Sequence, residues 1–199
     1  MVGRISSARR GRGNPDVVIF MGSESDWAVM SEAARVLEEF GVSHLAIVSS
    51  AHRSHDRTVR LVKLFTRRGT RVFVAGAGAA AHLAGAVAAM TPRPVIGVPL
   101  ASSPLSGLDS LLATAQMPSG VPVACTAIGE AGASNAGLLA VEILAIADRR
   151  LEARLLTYRQ NLEREVVRKD AALQKERRRR AGRQPRPGRS ESTRGKVSP

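Results

Sequence analysis

Val17-Val18-Ile19-Phe20-Met21 runs straight into Gly22-Ser23-Glu24-Ser25-Asp26, and the same kind of junction recurs where Leu45-Ala46-Ile47-Val48 meets Ser49-Ser50-Ala51-His52-Arg53-Ser54-His55-Asp56. Each is a short apolar run, then small polar residues, then a helix-like segment. In an open α/β sheet that junction is the carboxyl end of a strand, where ligands bind. Three more apolar runs follow, at 71–75, 94–98 and 121–124, with helical patterns near 26–40, 55–68, 81–90, 107–117 and 132–147. Five strands alternating with helices predict a parallel sheet covered on both faces. Right-handed connections between such strands make a flavodoxin-like, three-layer α/β sandwich the natural architecture.

A chain of 199 residues allows one domain of ordinary size with length left for tails. Four Phe, one Tyr and one Trp are its only aromatic residues, so Ala, Val and Leu must fill the core. The net charge of +13 sits mostly at the ends: residues 1–14 carry +4, residues 174–199 carry +8, and the body between them about +1. Both ends are rich in Arg, Gly, Pro and Ser, a composition that buries too little apolar surface to fold. They are expected to be disordered basic tails. No aromatic residue interleaves them, so bases have no platform to stack on, and nucleic-acid contact by the tail is the minor reading.

Cys125 is the single cysteine, which excludes an internal disulfide and a multi-cysteine metal site; its apolar surroundings suit a small core residue. The basic N-terminus lacks the apolar stretch of a signal peptide. Residues 72–90 are poor in charge, but Ala, Gly and the central His82 favour a buried strand, loop and helix over a membrane span. A cytoplasmic protein is expected. Leu151, Leu155, Tyr158, Leu162 and Val166 then form one stripe of a long amphipathic helix over 148–173, which closes a domain spanning 15–173. That stripe could pack on its own domain or on another subunit.

Ser23, Ser25 and Asp26 offer hydroxyls and a carboxylate where backbone N–H groups of a helix start favour anions. The competing reading is a capping box, Ser followed three residues later by an acid. No Gly-Lys-Ser/Thr follows, so this is not a P-loop. His52 can donate and accept a proton near neutral pH, and Arg53 can grip a phosphate through parallel hydrogen bonds. A histidine that merely satisfies a turn is the competing reading. Gly76-Ala77-Gly78-Ala79-Ala80-Ala81-His82 follows the third strand, and glycine there would admit a ligand close to the backbone. Without a third glycine or a later acid it is no dinucleotide fingerprint, and NAD is excluded. Asp109 suits the first turn of a helix, and His44 and His55 suit structural roles.

In order along the chain, MGSESDW, VSSAHRSHD, AGAGAAAHLAG, PLSGLDSL, QMPSGVPVA and NAGLLAVEIL resemble the class I 5-(carboxyamino)imidazole ribonucleotide mutases of bacterial purine synthesis. The resemblance covers roughly residues 15 to 165. It implies a flavodoxin-like subunit in a homo-octamer, without metal or organic cofactor. The implied partners are a ribonucleotide substrate and, functionally, the ATP-dependent carboxyaminoimidazole ribonucleotide synthase. The implied reaction moves a carboxylate from an exocyclic nitrogen to a ring carbon, through carbon dioxide held in a closed site. On that pattern His52 is the catalytic proton shuttle. Ser23, Asp26 and Arg53 bind the ribonucleotide with Ser25 beside them, and Ser50 and Ala51 join the same set. Gly76, Ala77 and Gly78 form a loop that closes the site, and His82 lies near the substrate.

Four departures stand out. Glu24 replaces a common Lys, Ser54-His55 replaces Thr-Pro, Ala79 replaces the second glycine of a Gly-Gly pair, and Ala84 replaces a proline. Ala79 and Ala84 are expected to alter the covering loop and to reduce activity. Class II relatives, which carboxylate aminoimidazole ribonucleotide with free carbon dioxide, are the alternative enzyme. A non-catalytic nucleotide- or RNA-binding relative is the alternative outside catalysis. Arg53 and the Ala-Ala-His-Leu segment favour class I.

Overall fold

The computed structural model describes residues 14–181. Five parallel strands, β1 (Val17–Met21), β2 (His44–Val48), β3 (Val72–Gly78), β4 (Val95–Leu100) and β5 (Ala124–Cys125), form one sheet in the order β2-β1-β3-β4-β5. This is the flavodoxin-like order expected from the alternating pattern. Strands covered on both faces read as unbroken apolar runs, and all five residues of β1 are buried. Fully burying a residue such as Phe20 contributes about 1.5–3 kcal/mol, and Phe20 stacks on Phe73 of the neighbouring strand at 6.1 Å.

Helices α1 (Trp27–Glu39) and α5 (Glu130–Ala145) pack against each other. A side chain on Gly137 would approach the carbonyl oxygen of Ala33 to 2.7 Å, so glycine is what lets these helices meet. Val62 and Phe65 of α2 (His55–Arg67), with Leu83, Ala84 and Val87 of α3 (Leu83–Ala88), close over Val18, Phe20, Phe73 and Ala75. Helix α4 (Leu108–Ala115) lies along β4 and β5.

The expected elements are all present, with shifted ends. The fifth strand shortens to two residues, because Pro122 has no N–H to give to the ladder. The third strand extends to Gly78 rather than stopping at 75, since Ala77 and Gly78 pair with Pro99 and Leu100. The glycine segment read as a loop is therefore the end of a strand.

Helix α6 (Arg149–Ala181) starts where Asp148 Oδ1 accepts the N–H groups of Arg150 and Leu151. It takes in residues 174–181, which the sequence reading assigns to a disordered tail. Gln174 bonds Asp170 and Arg180 pairs with Glu176 at helical spacing. Straight-chain residues sustain a helix, and cations suit its C-terminal end. The disorder expected of 1–13 and 182–199 lies outside the described residues. The chain divides into a compact unit ending at Leu155 and a second unit beginning at Leu156. Within the first, Leu155 is buried and Arg154 donates to the carbonyl of Glu39. Within the second, Leu162, Val166 and Leu173 are exposed.

Candidate active site

Strand β1 lies between β2 and β3, so the chain leaves it in one direction and crosses back in the other. The crevice at such a switch point is where doubly wound sheets bind ligands. Three loops converge there: residues 22–26 after β1, 49–54 after β2, and 79–82 after β3.

After β1, Ser23 caps a single 3-10 turn (Glu24–Asp26). Its backbone N–H donates to Asp26 Oδ2 at 2.9 Å, within a capping box. The Ser25 hydroxyl donates to Ser23 Oγ at 3.0 Å. The capping reading of this segment is thus realised, and it fixes Asp26 and both hydroxyls at the mouth of the crevice. Ser25 is exposed while Ser23 and Asp26 are half-buried.

The loop after β2 is held from beneath. Ser49 and Thr58 are buried and their hydroxyls lie 2.8 Å apart. Ser54 Oγ accepts the Ser50 N–H at 2.9 Å, and Ser50 Oγ accepts the Arg53 N–H at 3.2 Å. Buried polar networks with each member satisfied are rigid, so residues 50–54 present their side chains from a fixed turn. Ala51 packs inward on the core, while His52 and Arg53 are exposed. Arg53 Nη2 donates to the carbonyl of Gly22 at 2.7 Å, which ties this loop to the one after β1. Nothing in the sequence marks Ser49, Thr58 and the Gly22 carbonyl, and Ser54 stands out there only as a departure from Thr-Pro. Its place just before α2 is that of a helix cap.

His52 Nε2 lies 2.7 Å from His82 Nδ1, with the rings nearly perpendicular at 81°. One ring must donate and the other accept, so the pair holds a proton between them. His82 reaches this position through an unusual turn. Ala79 and Ala81 have φ of +51° and +38°, a left-handed conformation that costs a residue with a Cβ roughly 1–2 kcal/mol. The Ala81 N–H closes the turn on Gly78 O at 3.0 Å.

The three residues expected to close the site divide. Gly76 is buried within β3, and a Cβ there would sit 2.3 Å from Met30 Sδ, so its lack of a side chain serves packing. Ala77 packs on the core. Gly78 is half-exposed at the strand end, and a Cβ on it would collide with Ser102 Oγ at 1.7 Å. The turn that follows, residues 79–81, is what borders the crevice. Ala84 was expected in a covering loop but lies buried inside α3, where its methyl belongs to the core. Its effect is on helix packing. Among the described residues, no group of three or more His, Cys, Asp or Glu is placed to hold a metal ion.

A family model described as AIR carboxylase matches residues 16–165. The chain belongs to the AIR carboxylase family. Members of this family similar to it include the N5-carboxyaminoimidazole ribonucleotide mutase of Brucella melitensis, 55% identical over 144 residues, covering 72% of this chain and 89% of that one. The protein of the same name from Mycobacterium tuberculosis is 50% identical over 161 residues, covering 81% and 91%. Among solved structures, Treponema denticola PurE superposes with a TM-score of 0.73 at 26% identity, covering 79% of this chain and 97% of that one. The AIR carboxylase family segment ends at residue 165, within α6. Among the described residues no helix is long and apolar enough to cross a membrane.

Proposed function

We propose that this protein is a 5-(carboxyamino)imidazole ribonucleotide mutase of purine biosynthesis, with His52 as its proton shuttle. The observation that carries the assignment is the His52–His82 hydrogen bond at the sheet's switch point, in a chain whose relatives at about half identity bear the mutase name.

The substrate carries a carbamate on the exocyclic nitrogen. Its N–C bond breaks, carbon dioxide is released into the crevice, and the nitrogen takes a proton from His52. The ring carbon then attacks the carbon dioxide, forming the new C–C bond, and its proton returns to the same imidazole. No proton is gained or lost overall, so one histidine serves both transfers. His82, through Nδ1, holds the shuttle ring in position and shares its proton. A positioned acid–base group of this kind supplies roughly 10²–10⁴-fold in rate. Arg53 and the hydroxyls of Ser23 and Ser25 hold the phosphoribosyl part with Asp26, Ser50, the backbone at Ala51 and the turn that follows Gly78. The turn at 79–81 keeps water from the carbon dioxide.

Self-assembly into an octamer fits the surface. Leu45 and Val48 on edge strand β2, and Leu105, Leu108 and Leu112 around α4, are 40–61% exposed. An apolar strand edge and an apolar helix face are both liabilities in a lone subunit. The setting is the cytoplasm, downstream of the ATP-dependent synthase that makes the carbamate.

The deciding experiment supplies purified protein with carboxyaminoimidazole ribonucleotide, and in parallel with aminoimidazole ribonucleotide plus bicarbonate. Efficient turnover of the first without ATP is expected. Preference for the second would make the protein a carboxylase, and silence on both from a folded oligomer would overturn catalysis altogether.

A further inference from the structure

Charge divides this chain at the boundary of its family segment. Residues 15–165 carry fourteen Lys and Arg against fourteen Asp and Glu and are neutral. Residues 166–181, beyond the family match, carry seven Lys and Arg against Asp170 and Glu176, a net +5. Every residue from Arg159 to Arg180 is exposed. These cations are carried on the continuous helix α6 and so are already ordered. Ordering is a cost that a disordered basic tail would meet on binding.

We propose that the last turns of α6 bind the phosphodiester backbone of duplex DNA. Arg177, Arg178, Arg179 and Arg180 are consecutive, and at about 100° per residue they ring the helix instead of lining one side. A helix that inserts into a lipid surface needs an apolar face opposite its basic one. No large apolar residue occurs from Gln174 to Arg180, so a lipid surface does not fit. Arginine dominates the cluster, and its planar fork matches phosphate oxygens with two parallel N–H bonds. With no aromatic residue in 166–181 to stack on bases, a single strand gains little. A helix about 10–12 Å across fits the roughly 12 Å major groove of B-form DNA, whereas the major groove of A-form RNA is too narrow. Cations spaced at i, i+3 and i+4 repel one another along the helix, and a polyanion relieves that repulsion.

The binding is read by fluorescence anisotropy of a labelled, mixed-sequence B-form duplex with the full-length protein, between about 50 and about 200 mM salt. The variant replaces all four arginines, Arg177, Arg178, Arg179 and Arg180, by glutamine, which keeps straight-chain helix formers in place. Wild type is expected to bind with a steep salt dependence. The variant should bind at least about tenfold more weakly at the low-salt end, with the log–log salt slope reduced by roughly two to three, since one of four arginines ringing the helix faces away from the duplex. Unchanged turnover and helical circular dichroism would show that the variant is folded. Equal DNA affinity of variant and wild type, or no binding by wild type at low salt, would overturn the proposal. So would tighter binding to an A-form RNA duplex, or capture by phosphatidylserine vesicles in place of DNA.

Discussion

His52 Nε2 and His82 Nδ1 meet at 2.7 Å although their loops leave strands that are not neighbours, β2 and β3, with β1 between them. The pair therefore bridges the carboxyl end of β1, where Ser23, Ser25 and Asp26 emerge. A contact made across a third strand requires both loops to be rigid. The loop at 49–54 has its buried hydroxyl network, and the loop at 79–82 has its left-handed turn.

His52→Asn is expected to keep the ribonucleotide bound while turnover falls by roughly 10²–10⁴-fold, the usual contribution of a positioned proton-transfer group. Asparagine occupies similar space but does not cycle a proton. Binding measured by calorimetry and turnover measured by absorbance separate the two effects. Turnover within about tenfold of wild type would remove His52 from the shuttle role.

His82→Ala tests positioning. A positioned acid–base group contributes roughly 10²–10⁴-fold, and losing the partner that orients it should remove part of that, so kcat should drop by about 10–100-fold with KM changed less than about threefold. The hydrogen bond leaves a signature in 15N spectra of the imidazoles, which the variant should lose. A variant with a normal kcat and a normal pH profile would reduce the contact to packing.

The strand–helix alternation was legible because parallel strands buried on two faces must be apolar throughout, as in β1. The residue types of the candidate site stood out as small polar residues directly after such a run, although the same residues also cap and brace the turns, as Ser23 and Ser54 do. What remained hidden depends on three dimensions. Nothing near Gly76 in sequence reveals Met30 lying where its Cβ would go. Ala84 falls within the helical pattern of 81–90, but nothing in the sequence shows that its methyl joins the core instead of the loop over the crevice. Residues 174–181 look like a disordered tail because net charge dominates their composition, whereas their spacing pairs Arg180 with Glu176.

Ala79→Gly should stabilise the fold slightly and raise turnover. Relief of the left-handed alanine is worth about 1–2 kcal/mol, against about 0.5–1 kcal/mol for glycine's greater freedom when unfolded. Ala79 is exposed, so little packing is lost. The difference is a gain of at most about 1.5 kcal/mol, and each 1 kcal/mol corresponds to about 2–4 °C in Tm for a domain of this size. A lower Tm together with lower turnover would show that the turn depends on the methyl group.

Cys125 should react slowly with thiol reagents at neutral pH. Burial holds its thiol above the ordinary range, and the thiolate is the reactive form. The sign follows: at any pH below its raised pKa the thiolate fraction is smaller than for a free cysteine, so labelling should accelerate only at more alkaline pH. Alkylation by iodoacetamide, timed by mass spectrometry against a cysteine peptide, checks this. Equal rates near neutrality would contradict it.

Gly76→Ala should destabilise the protein by about 1–3 kcal/mol, the usual cost of forcing extra volume into a packed core. The new methyl would press on Met30, whose Sδ, Cε and Cγ all lie within 2.9 Å of its position. Met30 is fully buried, so its flexible chain has nowhere to retreat. Combining Gly76→Ala with Met30→Ala makes room for the methyl, and the double variant should be more stable than the sum of the two single losses implies. A coupling of at least about 0.5 kcal/mol is expected for side chains in contact. Thermal unfolding at a fixed protein concentration measures all three variants. Additive losses would mean that Gly76 is needed for something other than Met30, and a ligand approaching its backbone would then return as the explanation.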